Sequence, residues 1–187
     1  MVQEKTTLYK RVKHFSFLQG LPYINPDEIL AEKKIYALQA GAEALRLRQQ
    51  FLDKKQSFIF ETTLSGNSEL KLIHDARQTG YKINIVYVCL GDILLNIMRV
   101  NARVRRGGHN VPIPDIVRRE FRSQKNFFHL LPLVNRAYLI DNSNFIARTL
   151  AVYREQHKFY VARHQPDWAN DFIDAFKTNL QKKSFDN

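Results

Sequence analysis

The sequence predicts an α/β protein with a mainly parallel sheet flanked by crossover helices. Three observations carry that prediction. The run Ile83-Asn84-Ile85-Val86-Tyr87-Val88-Cys89-Leu90 is β-branched or apolar through its second half, the pattern of a strand covered on both faces. Strand-like and helix-like stretches alternate along the chain, which is the order of crossover units. Polar residues gather where the predicted strands end: Asp27 after Ile24-Asn25-Pro26, Glu61-Thr62-Thr63 after Phe58-Ile59-Phe60, and Asp141-Asn142 after Leu139-Ile140. Open sheets of this kind bind ligands at the carboxyl ends of their strands.

Taken in order, Leu21–Asn25 reads as a short strand. Ile35, Leu38, Ala42, Leu45 and Leu52 recur at helical spacing in a stretch broken only by Gly41. Ser57–Glu61 is a second short strand. Leu70, Ile73, His74 and Arg77 continue a helix that closes at Gly80, a C-cap residue. After the strand at residues 83–90, a helix runs from about Leu94 to Arg106 and stops at Gly107-Gly108. The next helix begins after Pro112 and Pro114, with Asp115 near its positive end. Ala137–Asp141 is a strand ahead of an Asn142-Ser143-Asn144 turn, Lys158–Ala162 a late strand, and Asp171–Leu180 a closing helix. With no repeat, low-complexity tract or Pro/Gly-rich linker, the 187 residues read as a single domain.

Composition narrows the partners. Hydrophobic residues at 44% and charged residues at 25% are ordinary for a soluble globular chain. The lone Cys89 lies inside an apolar run, so no internal disulfide framework exists and a reducing cytosol suits it. No apolar stretch approaches the ~20 residues of a membrane span, and the polar N-terminus is no signal peptide; the expectation is a cytoplasmic protein with no membrane partner. The net charge of +11 points to an anionic ligand. It is concentrated: Arg99, Arg103, Arg105, Arg106, Arg118, Arg119, Arg122 and Lys125 face only Asp115 and Glu120 within that window.

Four segments carry chemistry. Lys5-Thr6-Thr7 has the lysine and hydroxyl order with which a P-loop holds phosphate and Mg²⁺ ahead of a helix N-terminus. Against it, Glu4 stands where that loop has glycine, and taken alone a bare Lys-Thr-Thr is better explained as a basic chain terminus. Asp27 or Glu28 is placed either as general base on a substrate hydroxyl or as a helix-start acid beside an Asn25 cap and Pro26. Glu61-Thr62-Thr63-Leu64-Ser65-Gly66 offers a carboxylate, hydroxyls and amides to a polar substrate, or is a strand-to-helix loop. Arg99, Arg103 and Arg106 recur at i, i+4, i+7, and Arg118, Arg122 and Lys125 repeat the spacing beyond Gly107-Gly108. Two arginine-faced helices about a glycine hinge describe a lid that neutralises a transferring phosphate. The alternative is two solvated basic helices; against it, eight cations with two anions would repel one another without an anionic ligand. His109 reads as a structural hydrogen-bonding residue, since the six histidines show no zinc spacing.

In sequence, these stretches resemble the zeta-toxin-like P-loop kinases, in particular the stand-alone bacterial zeta-toxin-domain proteins. The resemblance runs through Asn25-Pro26-Asp27-Glu28, Ser57 to Gly66, Gly80-Tyr81, Arg103 to Pro112, Arg118-Arg119, Asn126, Leu131-Pro132-Leu133 and Asp141-Asn142-Ser143. Its strongest region spans Lys5 to about Ser143. It implies a P-loop kinase-like α/β fold that binds ATP and Mg²⁺ and phosphorylates a hydroxyl of a sugar nucleotide such as UDP-N-acetylglucosamine, with an antitoxin protein as partner. By that resemblance Lys5 is the P-loop lysine, Thr6 the Mg²⁺-side hydroxyl and Thr7 its neighbour in the nucleotide site. Asp27 is the acceptor base, and Glu61, Thr62, Thr63 and Ser65 are the substrate wall. Arg103, Arg106, Arg119 and Arg122 are the lid arginines.

The family's first strand and glycine-rich turn, on the order of ten residues, do not precede Lys5. Two explanations stand: a start downstream of the true one, or a lineage that lost the loop and no longer transfers phosphate. The rival to a kinase is therefore a non-catalytic relative that binds a nucleotide, a sugar nucleotide or a protein. Nucleic acid ranks last as a partner, because aromatics are not interleaved with the arginines as stacking platforms.

Overall fold

The computed structural model describes residues 20–108, 110–155 and 158–185. Lys5, Thr6, Thr7 and His109 lie outside the described residues. The chain divides into two compact units, one reaching Thr62 and including Gln78–Tyr81, the other comprising Thr63–Arg77 and everything from Lys82.

The first unit holds β1 (Tyr23–Ile24), α1 (Pro26–Lys33), α2 (Ala37–Asp53) and β2 (Ile59–Phe60). β1 and β2 pair in parallel, Tyr23 against Ile59 and Ile24 against Phe60. α1 starts where the sequence says a helix should. Asn25 is extended, its Oδ1 accepts from the Asp27 amide at 3.0 Å, and Pro26 opens the first turn. The helix ends at Lys34 in the left-handed region, φ 52°. The core of this unit is Ile24, Ile29, Ala40 and Ala44, covered by Leu30, Ile35, Leu47, Phe51, Phe58 and Phe60.

Here the helical periodicity misleads. Leu38 and Leu45 of the predicted stripe are 87% and 48% exposed; Leu52 is buried as predicted, but it is joined by Ala40, Ala44 and Arg48. Small side chains at 40 and 44 let α2 approach its neighbours closely, so the less apolar face wins the core.

The second unit contains α3 (Asn67–Gln78, whose last residue belongs to the first unit), β3 (Asn84–Cys89), α4 (Ile93–Val104), α5 (Ile113–Leu130), β4 (Arg136–Asp141), β5 (Arg148–Arg154), β6 (Lys158–Val161) and α6 (Asn170–Phe185). The sheet order is β3-β4-β5-β6. β3 and β4 run parallel from Asn84 against Arg136 to Cys89 against Asp141, and the crossover between them carries α4 and α5. β5 and β6 extend the sheet antiparallel. The α/β class, the parallel pairings and the crossover helices are those the sequence predicts. β5 is an addition: Leu150, Ala151 and Tyr153 are fully buried, in a run not read as a strand.

The core of this unit is aromatic. Phe127 and Phe176 are fully buried, and Phe127 packs within 4.5 Å of the Tyr87 ring and 5.5 Å of Phe172. Asn135 clips β3 and β4 together, its Oδ1 accepting from the Ile83 amide at 2.8 Å while its Nδ2 donates to Glu155.

Candidate functional site

The carboxyl end of β2 presents Glu61. Its backbone carbonyl accepts from the Arg48 guanidinium at 3.2 Å, and its Oε2 accepts from Asn25 Nδ2 at 3.4 Å. Arg48 is only 5% exposed and lies 4.5 Å over the Phe60 ring. A buried guanidinium held by a ring face and a carbonyl fixes the strand end from which the carboxylate projects. Asn25 is 3% exposed and has two tasks, since it also caps α1. Asp27 follows that cap and is exposed on the first turn of α1. The helix-start geometry expected of Asn25-Pro26-Asp27 is therefore present, and the carboxylate stays open to solvent.

Glu61 and Thr62 belong to the first unit, Thr63 and Ser65 to the second. In the second, Thr63 Oγ1 and Ser65 Oγ share a hydrogen bond of 2.8 Å. Leu64 between them is buried with φ 56°, and Asn126 Nδ2 donates to its carbonyl at 2.9 Å. The side-chain amide of α5 thus pins a strained turn, leaving the two hydroxyls on the same loop.

The arginines divide into three settings. Arg99 and Arg103 lie on α4, and Arg99 donates to the Ser143 carbonyl at 3.1 Å. Arg103 lies against Gly108: a Cβ there would meet Arg103 Cγ at 2.6 Å, and the Gly108 amide donates to the Arg103 carbonyl at 3.0 Å. Arg106 lies past the end of α4, in the turn through Gly107 at φ 84°, so the arginine face inferred at i, i+4, i+7 breaks before it. Arg119 and Arg122 lie exposed on α5. Among the described residues Arg106, Arg119 and Arg122 have no acidic partner, whereas Arg118 is paired with Asp115 at 2.8 Å.

The ends of β3 and β4 form another polar rim. Asp141 is 3% exposed, with Arg148 Nε at 3.0 Å and the Ser143 amide donating to it at 2.9 Å. Burial pushes the Asp141 carboxyl up, but the Ser143 and Arg148 hydrogen bonds outweigh it and hold the carboxyl below its ordinary value. The Ser143 hydroxyl donates to the Leu90 carbonyl, joining the two strand ends. Beside them a cavity of about 170 Å³ is lined by Asn96, Glu120, Gln124, Trp168 and Phe172, and Asn96 Nδ2 donates to Glu120 Oε2 at 3.1 Å.

A family profile described as Zeta toxin matches residues 37–158, well over half of the chain. The chain belongs to the zeta toxin family. Its fold is that of this P-loop kinase-like family, which generally uses ATP and Mg²⁺. An uncharacterized protein of Haemophilus influenzae is 30% identical over 95 residues, covering 51% of this chain and 64% of that protein, so the chain spans less than two thirds of the relative it matches. No solved structure matches. The zeta toxin match takes in Glu61, Thr62, Thr63, Ser65, Arg103, Arg106, Arg119 and Arg122, while Asp27 and Lys5 lie before it.

Two residues around Glu61 are absent from the sequence reading as participants. Arg48 follows Arg46 and precedes Gln49-Gln50, and an arginine among polar neighbours on a helix reads as solvated. Asn25 reads only as a cap, because its second bond spans 36 residues of sequence. Neither partner is visible without the fold.

Proposed function

We propose that this zeta toxin family member is an ATP-dependent kinase that phosphorylates a hydroxyl of a sugar nucleotide such as UDP-N-acetylglucosamine. The observation that carries the reading is the presence, within the zeta toxin match, of Glu61 and four lid arginines, of which Arg106, Arg119 and Arg122 are uncommitted to any described acid. Uncommitted guanidiniums fit a phosphate chain, to which they offer bidentate donors. Among the described residues no three His, Cys, Asp or Glu converge. Mg²⁺ at nucleotide sites is held chiefly by phosphate oxygens and waters with one or two protein oxygens, and Thr6 is the residue assigned to it.

ATP, when bound, supplies the phosphoryl group. In this reading Lys5, Thr6 and Thr7 hold the nucleotide phosphates and the metal. Asp27 accepts the proton of the acceptor hydroxyl, which its exposed position permits. Glu61, held by Asn25 and Arg48, orients the acceptor with Thr62, Thr63 and Ser65. Arg103, Arg106, Arg119 and Arg122 carry the charge that develops on the transferred group. The whole chain is read as one kinase domain working in the cytoplasm, with an antitoxin protein as its partner; none of the described helices is long and apolar enough to cross a membrane.

A transfer assay with γ-labelled ATP, Mg²⁺ and UDP-N-acetylglucosamine tests this. Label should appear on the sugar nucleotide and fall by roughly 10²-fold or more in Asp27→Asn. Transfer that is equal in Asp27→Asn removes Asp27 as the base. A second reading, a relative that binds nucleotide, sugar nucleotide or protein without transferring phosphate, is favoured by Glu4, a carboxylate where a P-loop has glycine. Absence of Mg·ATP binding in isothermal titration at millimolar nucleotide removes the kinase reading.

A further inference from the structure

Helix α5 has three faces where a surface helix ordinarily has two. Ile116, Ser123, Phe127 and Leu130 face the core and are buried. Arg118, Arg122 and Lys125 form an exposed basic edge. Between them Ile113, Val117 and Phe121 recur at i, i+4, i+8 and are 52%, 47% and 69% exposed. Side chains four apart stack along one strip of a helix, so these three make a continuous apolar shoulder. Each of these side chains leaves about half or more of its apolar surface in water, surface that a partner could cover. Scattered exposed apolar residues are normal, but a row bounded by the core on one side and cations on the other has the form of an interface.

We propose that this shoulder of α5 is a docking surface for an acidic amphipathic helix of a protein partner. The i, i+4, i+8 row rises about 12 Å along the axis, the pitch at which a facing helix presents its own apolar row. Acidic residues flanking that row would lie against Arg122 and Lys125, which have no acidic partner among the described residues. A second copy of this chain fits poorly, because a two-fold contact would set the same basic edges against each other. The surface does not depend on the kinase reading.

Fluorescence anisotropy with a labelled helical peptide of about 18 residues, leucines in an i, i+4 row flanked by glutamates, tests the proposal. Expected is binding by the full chain that weakens about tenfold or more in Val117→Ser/Phe121→Ser and for a peptide with glutamines in place of its leucines. Ile113→Ser provides an independent variant, and circular dichroism checks that each variant remains folded. Absence of binding at millimolar peptide overturns the proposal. So does undiminished binding by the double variant or by the glutamine peptide, either of which means charge attraction alone. Cosedimentation with phosphatidylglycerol vesicles that is lost in the double variant and not competed by the peptide overturns it in favour of a membrane surface.

Discussion

Asn25 Nδ2 donates to Glu61 Oε2 at 3.4 Å, joining the ends of β1 and β2 across 36 residues of chain. The same side chain caps α1 through its Oδ1. One buried amide therefore sets both the helix that carries Asp27 and the strand end that carries Glu61.

Asn25→Ala should destabilise the protein by about 1–2 kcal/mol, from the lost cap and the lost hydrogen bond to Glu61 together. Asn25→Asp separates the two, since aspartate keeps the cap but sets a second carboxylate beside Glu61. Urea unfolding should place Asn25→Asp between wild type and alanine at neutral pH. An aspartate variant as stable as wild type shows that the Glu61 contact contributes nothing.

Arg48→Met should lower stability by about 1–3 kcal/mol, because it removes the cation over Phe60 and the donor to the Glu61 carbonyl. Arg48→Lys should recover only part of that loss: an ammonium lacks the planar fork that stacks and donates together. Thermal melts of the two variants side by side provide the check, and full recovery by lysine contradicts the stacking argument.

Gly91 has φ 70°, and a Cβ there would collide with the Trp168 indole. Gly91→Ala should therefore cost more than about 1 kcal/mol, through the left-handed backbone and the displaced ring. Trp168 is the chain's single tryptophan, so its emission reports the displacement directly. An unshifted spectrum with wild-type stability would contradict the close packing.

The Asp141 carboxyl is held below its ordinary value of 3.8. Its contribution to stability is complete above that value and is lost as pH falls through the lowered folded-state value. Asp141→Asn should reduce stability at neutral pH and flatten the acid limb of a plot of Tm against pH below about 3.8. A variant whose acid limb is as steep as wild type's assigns acid unfolding to other carboxylates.

Legible from the sequence alone are the α/β class, the helix starts at Asn25-Pro26 and Pro112, the stop at Gly80 and the strand β3, although β3 is not covered on both faces as its apolar run predicts: Val86 is 51% exposed. These follow from short-range chemistry: a cap, a fixed φ, a left-handed glycine and an apolar run act within a few residues of themselves. The polar strand ends and the basic window were equally legible, because they are properties of composition and position. The tertiary structure decided the rest. It turned Leu38 and Leu45 outward and Ala40 and Ala44 inward, since a helix with two usable faces buries the one its neighbours can approach. It made Arg148–Arg154 a strand by giving β4 an antiparallel partner, and it left Arg106 beyond the end of α4. It buried Arg48 over Phe60, where α2 meets the end of β2 and a ring and a carbonyl fall within reach of one guanidinium. Contacts between distant segments carry no local pattern, so a side chain's partners are fixed only when the chain closes on itself.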